Sequence, residues 1–140
     1  MAELQLDIVA NEGEIHSGKA VMVVAPAAQG EVGIAPRHAP LLTALKPGEM
    51  RVETTDGERL TFFVGGGILE VQPDRVSVLA DTALRSEDAD EAAAAEAKKA
   101  AEASMEGAES ESDLERAQAE LAAAAARLEF VRKLKGSAHK

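Results

Sequence analysis

Gly30-Glu31-Val32-Gly33-Ile34-Ala35-Pro36-Arg37-His38-Ala39-Pro40-Leu41-Leu42-Thr43-Ala44-Leu45 decides how the first half of this chain is read. Gly30, Gly33, Pro36 and Pro40 fall within eleven positions. Together they forbid a helix and impose a turn followed by an extended loop. The acid Glu31 and the basic pair Arg37-His38 lie between them. A loop of this kind holds a few polar groups still on a β scaffold, as a docking surface requires. Taken alone, Glu31 also reads as a solvated turn acid and His38 as a plain surface histidine.

Outward from this stretch, up to about Thr82, the apolar pattern has period two. Leu4, Leu6 and Ile8 alternate with Gln5 and Asp7; Met50, Val52 and Thr54 alternate with Arg51 and Glu53. Leu60, Phe62 and Val64 share a face, Val76 and Val78 alternate with Arg75 and Ser77, and Val21 to Val24 is a short apolar run. Turn residues separate the runs, with Asp56-Gly57 a good hairpin turn. Short strands punctuated this densely indicate a β-sandwich or small barrel. Gly65-Gly66-Gly67 lacks the Gly-Lys-Ser/Thr ending of a phosphate loop. It reads instead as a strand entry where another backbone comes close.

Near Ser86 the composition changes. Residues 91 to 103 are mostly alanine, the best helix former and a poor strand former. Asp88 with Glu91, and Ser112 with Glu115, have the spacing of capping boxes, with a loop from Met105 to Ser112 between the two helices. Leu114, Leu121 and Leu128 recur every seven residues, with Ala117, Ala124 and Val131 between them. That is a narrow seam whose small layers let a partner helix approach closely. The fold class is therefore α+β: a β-sandwich over residues 1–84, then an antiparallel two-helix hairpin over residues 85–140. Arg132, Lys133 and Lys135 suit the carboxyl end of the second helix, and Gly136 is the expected stop. An alanine seam removes little area, at roughly 25 cal/mol per Å². The hairpin should be marginal alone, either packed on the sandwich or able to leave it at low cost.

The bulk composition narrows the function. The formal charge is −10 and aromatic residues make up 2% of the chain, so phosphate-neutralising stripes and stacking faces for nucleic acid are missing. There are no cysteines, which removes disulfides and thiolate metal sites. His16, His38 and His139 are too scattered for a metal site, and no nucleophile is paired with a base, so a hydrolase is disfavoured. No signal peptide and no transmembrane helix are expected, so membrane association must come through a partner. Between Ser86 and Glu115 lie eleven acids and two lysines; from Arg116 to Lys140 lie six basic groups and two acids. Macrodipole complementarity plus a solvated face suffices for most of these charges; the sharper alternative is a basic tail that seeks an acidic surface on a partner.

The run from Gly30 to Gly48 resembles the signature of the epsilon subunit of the bacterial rotary ATP synthase. So does Phe62-Phe63-Val64-Gly65-Gly66-Gly67-Ile68-Leu69-Glu70-Val71-Gln72-Pro73, followed by Val78-Leu79-Ala80-Asp81-Thr82-Ala83. Order, spacing and length match across the chain. The resemblance implies a non-catalytic central-stalk subunit that couples rotation of the rotor to ATP synthesis. Its β-domain would bind the gamma subunit and touch the rotor ring of c subunits, with Glu31, Arg37 and His38 as interface candidates. Its hairpin would reach the catalytic beta subunits and inhibit ATP hydrolysis, with Arg116, Arg127, Arg132 and Lys133 as candidates. The implied location is the cytoplasmic side of the bacterial inner membrane, held peripherally through the complex. Some members bind ATP on the hairpin through Ile/Leu-Asp-x-x-Arg-Ala. Here Ala89-Asp90-Glu91-Ala92-Ala93-Ala94 places alanine where the arginine would be, so no cofactor is expected. The alternative, from a different class, is a stand-alone adaptor with a β-sandwich and a coiled-coil arm.

Overall fold

The computed structural model describes residues 2–138; Met1, His139 and Lys140, the outer limits of the two expected units and one of the three histidines, lie outside it. Alternation builds the inner surface. In β1 (Leu4–Ala10), Leu4, Leu6 and Ile8 are buried while Val9 faces outward. In β6 (Arg75–Ala80), Val76 and Val78 are buried on the same principle. The longer strands β2 (Gly13–Ala27), β4 (Leu41–Thr54) and β5 (Arg59–Gln72) add Val23, Met50, Val52, Phe62, Val64, Leu69 and Val71 to one core.

The strands are hydrogen-bonded in the order β1-β6-β5-β4-β2, and β1 pairs with β2 as well, so the sandwich closes into a flattened barrel. Two short strands extend it: β3 (Gly30–Ile34) beside β2, and β7 (Ala83–Arg85) beside β5. Among the described residues only the β1–β6 pair is parallel. Closure gives each of these five strands a partner on both sides, which leaves open edges to the short β3 and β7 among the described residues. The β4–β5 hairpin turns as expected at Asp56-Gly57. Gly57 takes φ +87°, and its N–H donates to the Thr54 carbonyl at 3.0 Å.

The glycine triplet lies inside β5, not at a strand entry. There β5 changes partner. Phe62, Phe63 and Val64 pair with β7, and residues from Gly67 onward pair with β6. The Gly65 N–H donates to the Thr82 carbonyl at 2.8 Å, and the Asp81 N–H to the Gly66 carbonyl at 3.0 Å. At Gly67, φ is +133°, and a Cβ would overlap the Leu79 carbonyl oxygen and meet the Ala80 Cα at 2.7 Å. No side chain fits that gap, which explains the need for glycine.

A single 3-10 turn (Ser86–Asp88) leads into α1 (Glu91–Glu106), and a short connection leads to α2 (Glu111–Ala138). Both caps sit two residues from the expected positions. Asp88 lies in the 3-10 turn opposite Arg85 at 3.7 Å, so Asp90 caps α1, accepting the Ala92 and Ala93 N–H groups at 3.0 and 3.2 Å. Ser110, not Ser112, caps α2 by accepting the Asp113 N–H at 3.1 Å. The helix also runs through Gly136, which does not stop it.

The seam forms between Ala94 and Ala101 of α1 and Ala117, Ala124, Leu128 and Val131 of α2, all buried. Leu121 is half-buried, and Leu114, at the far end of the expected leucine repeat, is exposed. Glu91 at the start of α1 meets Lys135 near the end of α2, so the helices are antiparallel. Among the described residues one aromatic contact joins the hairpin to the barrel: Phe63 of β5 lies 6.0 Å, centroid to centroid, from Phe130 of α2. Phe62 and Phe63 thus serve two different cores, one inside the barrel and one beneath the hairpin.

The packing at Gly67 predicts that Gly67→Ala destabilises the barrel by more than about 2 kcal/mol, since both the φ and the neighbouring backbone oppose a side chain. Gly57→Ala, at φ +87° but facing open space, should cost about 1 kcal/mol. Urea melts of the two variants check this; equal losses would contradict the close-approach account.

Candidate interaction surfaces

Glu31 stands on β3, not in a turn, opposite Pro26 of β2. Its carboxylate pairs with Arg51 of β4 at 3.1 Å, with both side chains about half exposed. Arg37 and His38 lie in the turn that follows. The Arg37 N–H donates to the Pro73 carbonyl at 2.7 Å, which ties this turn to the β5–β6 connection. The His38 N–H donates to the Ala35 carbonyl at 3.2 Å, and its ring Nδ1 lies 2.7 Å from the Ala39 carbonyl. A carbonyl can only accept, so Nδ1 carries the proton there. Glu31 shares no hydrogen bond with Arg37 or His38 among the described residues. Arg37 has φ +70°, the one non-glycine residue in the left-handed region among those described. Its side chain is exposed.

A second surface was not anticipated from the sequence. Leu42 is 69% exposed, Leu79 57%, Ile68 49% and Val9 39%. Pairing aligns them: Ala44 of β4 sits opposite Ile68 of β5, Ile68 opposite Leu79 of β6, and Leu79 opposite Val9 of β1. Leu42 is two residues from Ala44 and shares its face. The result is an apolar row running across four strands on the outside of the barrel. The next row is polar apart from Leu42. Leu42 faces Glu70, Glu70 faces Ser77 and Ser77 faces Asp7. Hydrogen bonds from Ser17 and Gln5, with the Arg75 guanidinium at 2.9 Å, hold the Asp7 carboxyl below the usual carboxylate range. The sequence did carry a signal. Ile8-Val9, Leu41-Leu42, Ile68-Leu69 and Val78-Leu79 are apolar doublets, and strict alternation would place a polar residue at one member of each.

The four basic candidates of α2 divide into two groups. Arg132 Nε lies 3.3 Å from Glu91, and Lys133 Nζ 3.3 Å from Glu49 of β4. Lys135, not a candidate from sequence, approaches Glu91 at 2.8 Å. Arg116 and Arg127 instead line a cavity of about 540 Å³ between hairpin and barrel, walled by Phe63, Thr82, Ala101 and Ala124. The Arg127 Nε is buried there and has no hydrogen-bond partner among the described residues.

Among the described residues no cluster of histidine and carboxylate side chains could hold a metal ion. No helix among them is long and apolar enough to cross a membrane. These surfaces can bind and position, and they occupy a strand face, a turn and a helix.

The conformation of Arg37 yields a test. A left-handed φ costs a branched or long side chain about 1–2 kcal/mol, partly offset by the greater unfolded-state freedom of glycine. Arg37→Gly should therefore raise stability by about 0.5–1 kcal/mol, read as a higher urea midpoint at unchanged slope. A lower midpoint would show that the arginine side chain itself stabilises the turn.

Residues 3–86 match the ATP synthase Delta/Epsilon chain beta-sandwich domain. An ATP synthase epsilon chain from Alkalilimnicola ehrlichii is 54% identical over 96% of each chain. The one from Hydrogenovibrio crunogenus is 56% identical, covering 98% of this chain and 94% of its own. In fold, the chain is similar to one in the Euglena gracilis mitochondrial ATP synthase, with TM-score 0.71 at 20% identity over 90% of this chain and 79% of that one. A chain of the Tetrahymena thermophila mitochondrial ATP synthase central stalk and c-ring gives TM-score 0.51 at 14% identity over 96% and 95%. A closed β-barrel with an antiparallel hairpin, the Gly30–Gly48 and Phe62–Ala83 signatures, and relatives matched end to end together establish that the chain belongs to the ATP synthase epsilon chain family.

Proposed function

We propose that this chain is a non-catalytic subunit of the ATP synthase central stalk, coupling rotor rotation to the catalytic head and restraining ATP hydrolysis through its hairpin. The observation that carries this reading is the apolar row of Ala44, Ile68, Leu79 and Val9, with Leu42 beside it, on a closed barrel. Large apolar side chains left in water across four strands favour a partner, and burying each is worth about 1.5–3 kcal/mol. A closed barrel gives such a surface a rigid backing, which suits a part that transmits torque.

The gamma subunit is the partner assigned to the apolar row. The turn carrying Arg37 and His38, with Glu31 on the neighbouring strand, is assigned to the rotor ring of c subunits, where polar and charged groups suit a wet contact. The hairpin, with Arg116, Arg127, Arg132 and Lys133, is assigned to an acidic surface on the catalytic beta subunits. The unit of residues 1–84 then carries assembly, and residues 85–140 regulation. In a bacterial cell this places the chain on the cytoplasmic side of the inner membrane, held there by the complex.

Ile68→Asp combined with Leu79→Asp tests the assignment of the row. Both positions face solvent, so the variant should fold, with an unchanged circular dichroism spectrum. Its binding to the gamma subunit should fall by at least about 100-fold, as expected for loss of two central apolar anchors. Retained binding would move the gamma interface elsewhere. A chain ending at Asp88, which keeps β7, should still bind gamma, and the complex that contains it should hydrolyse ATP faster. Unchanged hydrolysis would leave the hairpin without a restraining role.

A further inference from the structure

We infer that Glu49 and Glu91 form an intramolecular clasp: they hold in cis the cations Arg132, Lys133 and Lys135 that an acidic partner surface would take. Release of the hairpin and capture by the partner are then one exchange of ion pairs. This rests on the reading above that the hairpin restrains hydrolysis through an acidic partner surface.

The two carboxylates act at different joints. Glu49 belongs to β4 and bonds Lys133 of α2, so it ties the hairpin to the barrel beside the Phe63–Phe130 contact. Glu91 lies in the first turn of α1 and receives Arg132 on one oxygen and Lys135 on the other, so it ties the start of the hairpin to its end. The hydrogen bonds from Lys135 and Arg132 hold its carboxyl below the usual glutamate range. A carboxylate at a helix N-terminus is favoured by the macrodipole as well.

Exposure sets the character of the clasp. The Glu49 side chain is 21% exposed while that of Lys133 is 69% exposed. The acids are therefore seated and the cations reach over them from the solvent side. A competing acidic surface can approach the cations without first opening the hairpin. Exposed pairs of this kind are individually weak and screened by salt, which makes the exchange reversible; a fully buried pair would be hard to part. Arg116 and Arg127 are outside the clasp. They face the cavity under the hairpin and make no ion pair among the described residues. The alanine seam joins the two helices to each other; against the barrel the closed form is held by the small apolar cluster of Phe63, Leu84, Leu128, Phe130 and Val131 and by the clasp.

The full chain tests this directly. It has no cysteine, so single cysteines at Glu58 and Ser112, both exposed, can carry a donor–acceptor dye pair reporting hairpin detachment. Glu49→Gln with Glu91→Gln should raise the detached fraction about three- to tenfold at low salt, the range expected for loss of a few exposed pairs. Raising salt from roughly 0.05 to 0.5 M should detach the wild-type hairpin and barely affect the variant. The charge-swapped pair Glu49→Lys with Lys133→Glu should restore the closed fraction relative to Glu49→Lys alone. A detached fraction equal to wild type in the double variant overturns the clasp. In the assembled complex the double variant should hydrolyse ATP more slowly than wild type. Increased detachment without slower hydrolysis overturns the exchange, while hydrolysis indifferent to hairpin removal overturns the underlying reading of the hairpin.

Discussion

The close passage of the Gly67 backbone against the Leu79 carbonyl is the constraint on which the remaining structure depends. Because no Cβ stands between them, β5 can leave β7 and pair with β6 within a few residues while remaining paired to β4 along its length. This handover closes the ring of strands. It also sets the facing of the two adjacent aromatics, so that Phe62 completes the barrel core and Phe63 stands outside as the seat of the hairpin. The apolar row follows from the same register, since Ile68 is aligned with Leu79 only once β5 has joined β6.

Two kinds of packing then coexist in one chain. The barrel buries Leu, Ile, Val, Met and Phe side chains in a continuous cluster. The hairpin buries mainly alanine, with Leu128, Phe130 and Val131 concentrated near one end of α2. Burial scales with apolar area, so the barrel resists deformation and the hairpin is held at one end by a small apolar cluster around Phe63 and Phe130 and a few ion pairs. Sequence composition thus becomes a difference in local stability, and that difference is what a rigid stalk part with a movable arm needs.

The barrel was legible because its strands alternate: Leu4, Leu6, Ile8, Val76 and Val78 point inward as their spacing requires, and Asp56-Gly57 turns where a turn was expected. The helix seam was legible for the same kind of reason, down to Ala117, Ala124 and Val131. The caps were displaced because capping-box spacing recurs by chance in a segment rich in acids and serines; only the intervening 3-10 turn selects Asp90 over Asp88. Gly65-Gly66-Gly67 signalled a close backbone approach, but the sequence does not encode which strand arrives, so its place inside β5 was missed. Candidate site residues were legible one by one and not as groups. Nothing local to Lys133 names Glu49 as its partner across the chain, and Phe130 falls outside the heptad that described α2. The outer row was hidden in plain view, since a doublet such as Val78-Leu79 reads equally as a thickened core strand.

The central claim is a rigid barrel carrying a separately held arm. Amide hydrogen exchange of the full chain, resolved by residue, tests it most directly. Amides of β1, β5 and β6 should exchange only through global unfolding, while those of α2 should exchange at least about tenfold faster through local detachment. Equal protection of α2 and the barrel strands would mean that hairpin and barrel form one cooperative unit, and would contradict the account.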